Sequence, residues 1–257
     1  MSLSVQVLAF LWLATYPPNH GHQCPQSEYL QPSLEQEKPL FTLDISQRTL
    51  GKLSQDLETL RQTPHNAALN VEVGLDYLTI ANSENFTFLA RAVEHFEIAR
   101  LEHPSEATLL MYLGLATGSQ ALDMAPSVMK RLKLARQGFK YMDQAVAKAP
   151  NCAYLRMLRG TAQLLAHPVL RRAAALKEDA DRVKAFMGSP EFERLPDFQK
   201  AKYHLFLGSF LGRDKKEDGE ARQHWEQALL LAKESHVGRE AASRLAGSHE
   251  SVGYSGD

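Results

Sequence analysis

The sequence is short of most features that announce chemistry. It has two cysteines, Cys24 and Cys152, too few for a disulfide scaffold. One bond between them would need an oxidising compartment, and nothing in their spacing argues for it. The formal charge is −1, so no basic or acidic excess points to nucleic acid or to an acidic ligand. The longest apolar run, Val5 to Ala14, has ten residues and is interrupted by Gln6, too short to span a bilayer. There is no nucleophile elbow, Walker loop, dinucleotide glycine pattern, HExxH or paired CxxC, which removes the common routes to hydrolysis, nucleotide chemistry and zinc catalysis. Glu178 with Asp181 and Asp179 with Arg182 sit at helix-neighbour spacing, where such pairs solvate a helix face. No catalytic residue, resident metal or cofactor is expected. An enzyme built from His95, His103, His204, His224 and His236 converging in space is the residual reading.

What is present is a spacing. A proline is followed ten residues later by a glycine at Pro64 and Gly74, Pro104 and Gly114, and Pro150 and Gly160, with a looser copy from Pro196 to Gly208. Proline cannot continue a helix and disfavours helical angles in the residue before it. A glycine inside a helix costs about 1 kcal/mol against alanine, so a recurring one implies close packing. Each unit therefore reads as helix, turn and helix, with the glycine at a helix crossing and the next proline ending the pair. The expected helices are Asn70 to Ile80 and one through Phe88, Ala92, Phe96 and Ala99; Ala107 to Leu122 and Val128 to Lys148; Ala153 to Leu165 and about Ala173 to Phe186; and Ala201 to Leu211 followed by one through Ala221, Trp225, Ala228, Leu229 and Ala232. A helix over Ser46 to Arg61, with Leu50, Leu53, Leu57 and Leu60 in one stripe, precedes them. The fold class is all-α.

These residues resemble the tetratricopeptide repeat. The first copy supplies Gly74, Tyr77, Ala92, Phe96, Ala99 and Pro104; the second Leu113, Gly114, Gly138, Met142, Ala145 and Pro150; the last Leu207, Gly208, Ala221, Trp225 and Ala228. In the third copy Gly160 is clear, and Ala180 is taken as its small residue. Successive glycines lie 40, 46 and 48 residues apart, against about 34 in the family, so the helices or turns inside each pair are longer. The resemblance implies a right-handed solenoid of antiparallel helix pairs over residues 46–247. It also implies a concave groove lined by the first helix of each pair. The groove positions are Val71, Leu75 and Leu78, Met111 and Leu115, Tyr154, Met157, Leu164 and Leu165, and Lys202 and Leu205. This lining is largely apolar. The family's carboxylate clamp, a Lys three residues before the glycine and an Asn after it, is replaced here by Val71 and Leu75.

At the ends, residues 1–23 read as a signal peptide or apolar arm, residues 24–45 as a proline-containing linker, and residues 248–257 as a disordered tail. Export to a periplasm or secretory lumen is expected, with a cytoplasmic protein as the alternative. His20, His22 and Cys24 alternate as H-x-H-x-C, which reads as incidental clustering rather than a metal site. Lys130, Arg131, Lys133, Arg136 and Lys140 give one helix a basic face, ordinarily a solvated one. The functional expectation is a non-catalytic scaffold holding a protein or peptide partner in the groove, with no nucleic acid and no transmembrane span. The alternative is a small-molecule-binding accessory protein, for instance one serving a transporter.

Overall fold

Three turns of this chain are built the same way, residue for residue. The structure is a computed structural model describing residues 43–81, 86–123, 125–214 and 217–250. The described residues form eleven α-helices and no strand. In chain order they are α1 (Leu43–Gln62), α2 (Ala67–Ile80), α3 (Thr87–Glu102), α4 (Ala107–Ser119), α5 (Val128–Lys148), α6 (Ala153–Leu164), α7 (Ala173–Met187), α8 (Pro190–Glu193), α9 (Asp197–Leu211), α10 (Asp218–Leu231) and α11 (His236–Glu250). Short 3-10 turns follow α4 and α6, at Gln120–Leu122 and Pro168–Leu170. The segments expected as signal peptide and most of the linker lie outside the described residues, as do residues 251–257. α11 continues to Glu250, past Ser248, where the tail was expected to begin.

The repeated turn joins α1 to α2, α3 to α4 and α5 to α6, with four residues each time and proline second: 63–66, 103–106 and 149–152. The first residue's N–H closes the preceding helix: Thr63 to Thr59 O, His103 to Ala99 O, Ala149 to Ala145 O, at 3.1, 3.2 and 3.1 Å. The fourth residue's N–H bonds the first residue's carbonyl at 3.0, 3.3 and 3.1 Å, and its own carbonyl starts the next helix. Proline, with no N–H to place, fits the second position. In two turns the fourth residue also caps the new helix. Asn66 Oδ1 accepts from Leu69 N at 3.1 Å, and the Glu106 carboxylate accepts from Thr108 N and Leu109 N. These satisfy N–H groups that a helix start leaves open. A second latch follows six residues after the proline. Asn70 Nδ2 donates to Pro64 O at 3.0 Å and to Asn66 O at 2.9 Å, and Arg156 Nε donates to Pro150 O at 2.7 Å.

The chain divides after Ala162 into two compact units, where the sequence reading treats residues 46–247 as one domain. In the first unit, α1 packs Leu53 and Leu60 on Val73 of α2, with Leu57 beside them; Leu50 is 47% exposed and leaves that stripe. Helix crossings fall at Gly74, Gly114 and Gly208, none of which has positive φ, so packing explains them. A Cβ on Gly74 would lie 2.5 Å from the Phe96 ring of α3. A Cβ on Gly114 would lie 2.7 Å from Met142 and 2.8 Å from the carbonyl of Gly138, both on α5. The second unit centres on Trp225, with Ala201, Leu205, Ala221, Ala228, Val237 and Ala241. Its indole lies against Gly208 and Gly212, where added Cβ atoms would sit 2.6 and 2.7 Å away. Phe186, Phe192 and Tyr203 form a second aromatic group with ring centroids 5.4 to 5.9 Å apart.

Candidate functional site

Two of the first helices, α4 and α6, are enclosed rather than half-open. Every residue of α4 from Ala107 to Thr117 is buried, as is every residue of α6 within the first unit, Ala153 to Ala162. A helix apolar on all sides is a core helix, and that describes α4, ATLLMYLGLATGS. Of the expected groove positions, Val71, Leu78, Met111, Leu115, Tyr154 and Met157 are buried in the first unit, and Leu75 is half-buried. Leu164 and Leu165, half-buried, and Lys202 and Leu205, both buried, belong to the second unit. Leu205 sits in the Trp225 core. Tyr154 keeps 3% of its surface, so truncating it removes core. Burial pushes its phenol above the usual range. Burial first, and the neighbouring Tyr154 second, also raise the Tyr112 phenol.

Lys202 stands six residues after Pro196, the register of Asn70 and Arg156. It is buried, with its ammonium 4.8 Å from the centroid of the Phe198 ring, a distance at which a cation is attracted to the ring face. Burial, then the charges of Lys202 and Arg239, push His236 down to about 3.

Two of the scattered histidines do meet. His204 Nδ1 and His224 Nδ1 are 2.9 Å apart, so one ring donates and the other accepts, in opposite tautomers. Burial, then the His224 ring, lowers His204 to about 4. Burial also lowers His224, against the pull of Glu220, whose carboxylate pairs with Lys184 at 2.6 Å. The pair is neutral at neutral pH and edged by the Phe192 ring at 6.0 Å from His204. Among the described residues, no group of three or more His, Cys, Asp or Glu is arranged to hold a metal. His20, His22 and Cys24 lie outside them.

Three arrangements were not read from the sequence. Asn70, buried, accepts through Oδ1 from His95 Nδ1 at 2.8 Å; a polar residue inside an apolar run, six after a proline, is the local sign that could have found it. Asp179 is fully buried rather than solvating a face. Cys152 is disulfide-bonded and no cysteine is free. The chain's other cysteine, Cys24, lies outside the described residues.

The basic face of α5 is a real surface. Met129, Lys133, Arg136 and Lys140 recur at helical spacing and are all exposed, as are Val128 and Lys130; Arg131 is half-buried. Among the described residues, no helix is long and apolar enough to cross a membrane.

No family model, no curated protein and no solved structure matches this chain.

Proposed function

We propose that the protein is a non-catalytic helical-repeat scaffold, of the tetratricopeptide-like kind, whose first helices α2, α4 and α6 form one layer and hold an extended peptide on their apolar face. The observation that carries this is the fourfold-residue turn used three times with the same hydrogen bonds. Identical joints between successive elements stack units in a constant relation, and such stacks present an extended surface. On this reading the peptide-facing positions are Val71, Leu78, Met111, Leu115, Tyr154 and Met157, each of them buried here. The bond at Cys152 supports the exported reading, because structural disulfides persist in oxidising compartments.

Affinity purification of the full chain from its native host, followed by mass spectrometry and by competition with peptides from the captured protein, tests the reading. A stoichiometric protein partner displaced by one of its own extended peptides is the expected result. A co-purifying small molecule with no protein would favour the accessory ligand-binding reading instead.

A further inference from the structure

The exposed side of α5 takes no part in the proposed groove, and it has a consistent chemistry. Residues 124–142 contain no Asp or Glu, and Lys130, Arg131, Lys133, Arg136 and Lys140 all fall within them. Met129, Lys133, Arg136 and Lys140 are exposed, and at 3.6 residues per turn they share an arc of about 60°. Lys130, also exposed, flanks them. The opposite side of the helix holds Gly138 and Met142, both buried and facing Gly114 of α4. At 1.5 Å per residue the stripe from Met129 to Lys140 runs about 16 Å.

Its cations are uncompensated. Elsewhere in the first unit, Lys52, Arg61, Arg91, Arg100 and Arg159 each have a carboxylate oxygen within 2.9 Å. Lys130, Lys133, Arg136 and Lys140 have none among the described residues. Helix α4, which packs on α5, carries no charged residue. The acids that flank the stripe are engaged elsewhere. Asp123 Oδ1 accepts from Ala125 N at 2.9 Å. Asp143 pairs with Arg159, and Glu97, which accepts from Tyr141, pairs with Arg100. At the N-terminal end of the stripe two adjacent apolar side chains stand in solvent, Val128 at 60% and Met129 at 71% exposure.

We infer that this side of α5 docks the protein on a membrane surface rich in anionic lipid headgroups. The four cations lie over the headgroups, and Val128 and Met129 enter the boundary with the acyl chains. A single exposed helix side offers a peptide no walls. A straight row of cations beside two exposed apolar side chains matches a plane of negative charge over hydrocarbon. The long stems of Lys and Arg let their heads stay in water while the helix settles against that plane. The whole chain carries a formal charge of −1, so the attraction belongs to this stripe and not to the molecule at large. The inference does not depend on what the scaffold holds.

The test is co-sedimentation of the full chain with two sets of vesicles, phosphatidylcholine alone and phosphatidylcholine with about a third phosphatidylglycerol. At low salt, at least about fivefold more protein should pellet with the anionic set, and the difference should vanish at about 1 M salt, where screening acts within about 3 Å. The triple variant Lys133→Glu, Arg136→Glu, Lys140→Glu should bind the anionic set no better than phosphatidylcholine. Arg182→Glu, Arg213→Glu, Lys233→Glu makes the same charge change at exposed sites of the second unit and should keep most of the difference. Met129→Asp should lower it at least about twofold. Thermal melts check that each variant folds; Lys140→Glu alone replaces the first triple variant if that one does not. Equal binding to both sets is the behaviour of an apolar segment and would overturn the inference. So would binding to neither set, or equal losses in the two triple variants. Met129→Asp binding as the parent does would overturn the entry of the apolar tip. Capture on immobilised polyglutamate with binding to neither vesicle set would replace the membrane by an acidic polypeptide.

Discussion

The α4/α5 crossing in the first unit and the α9/α10 crossing in the second answer the same sequence cue in opposite ways. At α4/α5, glycine meets glycine: a Cβ on Gly138 would lie 2.6 Å from the backbone of both Gly114 and Gly118. The two helices touch main chain to main chain, and nothing there can rotate aside. At α9/α10, Gly208 and Gly212 form a slot for one large ring, the indole of Trp225. One joint depends on the absence of side chains on both helices, the other on their absence from one and a large one on its partner. A glycine in a helix therefore reports a close approach without saying what approaches.

The largest effect should come from emptying the slot. Trp225→Ala removes a ring that is 6% exposed and should cost about 3–5 kcal/mol in a denaturant melt; a loss below about 1 kcal/mol would mean that the slot collapses around the gap. Gly138→Ala should cost about 3 kcal/mol, the upper end of overpacking, because the clash is with backbone. The comparison sharpens in double variants. Gly208→Ala should be tolerated better by about 1 kcal/mol in a Trp225→Leu background than in the parent, as directly touching residues couple. Gly138→Ala should find no comparable relief from Met142→Ala. Equal coupling at both crossings would erase the distinction.

A smaller effect separates the units by pH. His204 has a folded pKa of about 4 against an ordinary 6.5, so the unfolded chain takes up its proton first. Its contribution to stability is complete above about 6.5 and is lost as pH falls toward about 4. The melting temperature should decline across that window, and less steeply in His204→Gln; parallel profiles would show that the pair does not govern the decline. Least of all, Lys184→Gln breaks an ion pair whose members are 58% and 42% exposed, and should change stability by no more than about 0.5 kcal/mol at moderate salt.

The punctuation of this fold was legible because it is local. Proline and glycine constrain their own backbone and immediate neighbours, so Pro64, Pro104 and Pro150 mark the joints and Gly74, Gly114 and Gly208 mark crossings. The stripe ending at Leu50 was overdrawn, since periodicity counts positions on a helix and not the length of the surface it meets. What the first helices face was not legible. Met111 and Tyr154 would carry the same pattern in an open groove or a filled one, because enclosure depends on chain far away in sequence. The meeting of His204 with His224 and the bonding of Cys152 are likewise non-local, and spacing offers no clue to either.

The joints leading into α2, α4 and α6 hold four residues each, while the connections inside pairs in the first unit run from 81 to 86 and from 120 to 127. The constant joints are those whose hydrogen bonds count residues, closing one helix and opening the next. The chain thus carries its own map of where length can be added. A short tag inserted after Ser83 should leave the melt unchanged, whereas the same tag after His65 or Ser105 should slip the register of two helices at once and abolish cooperative unfolding.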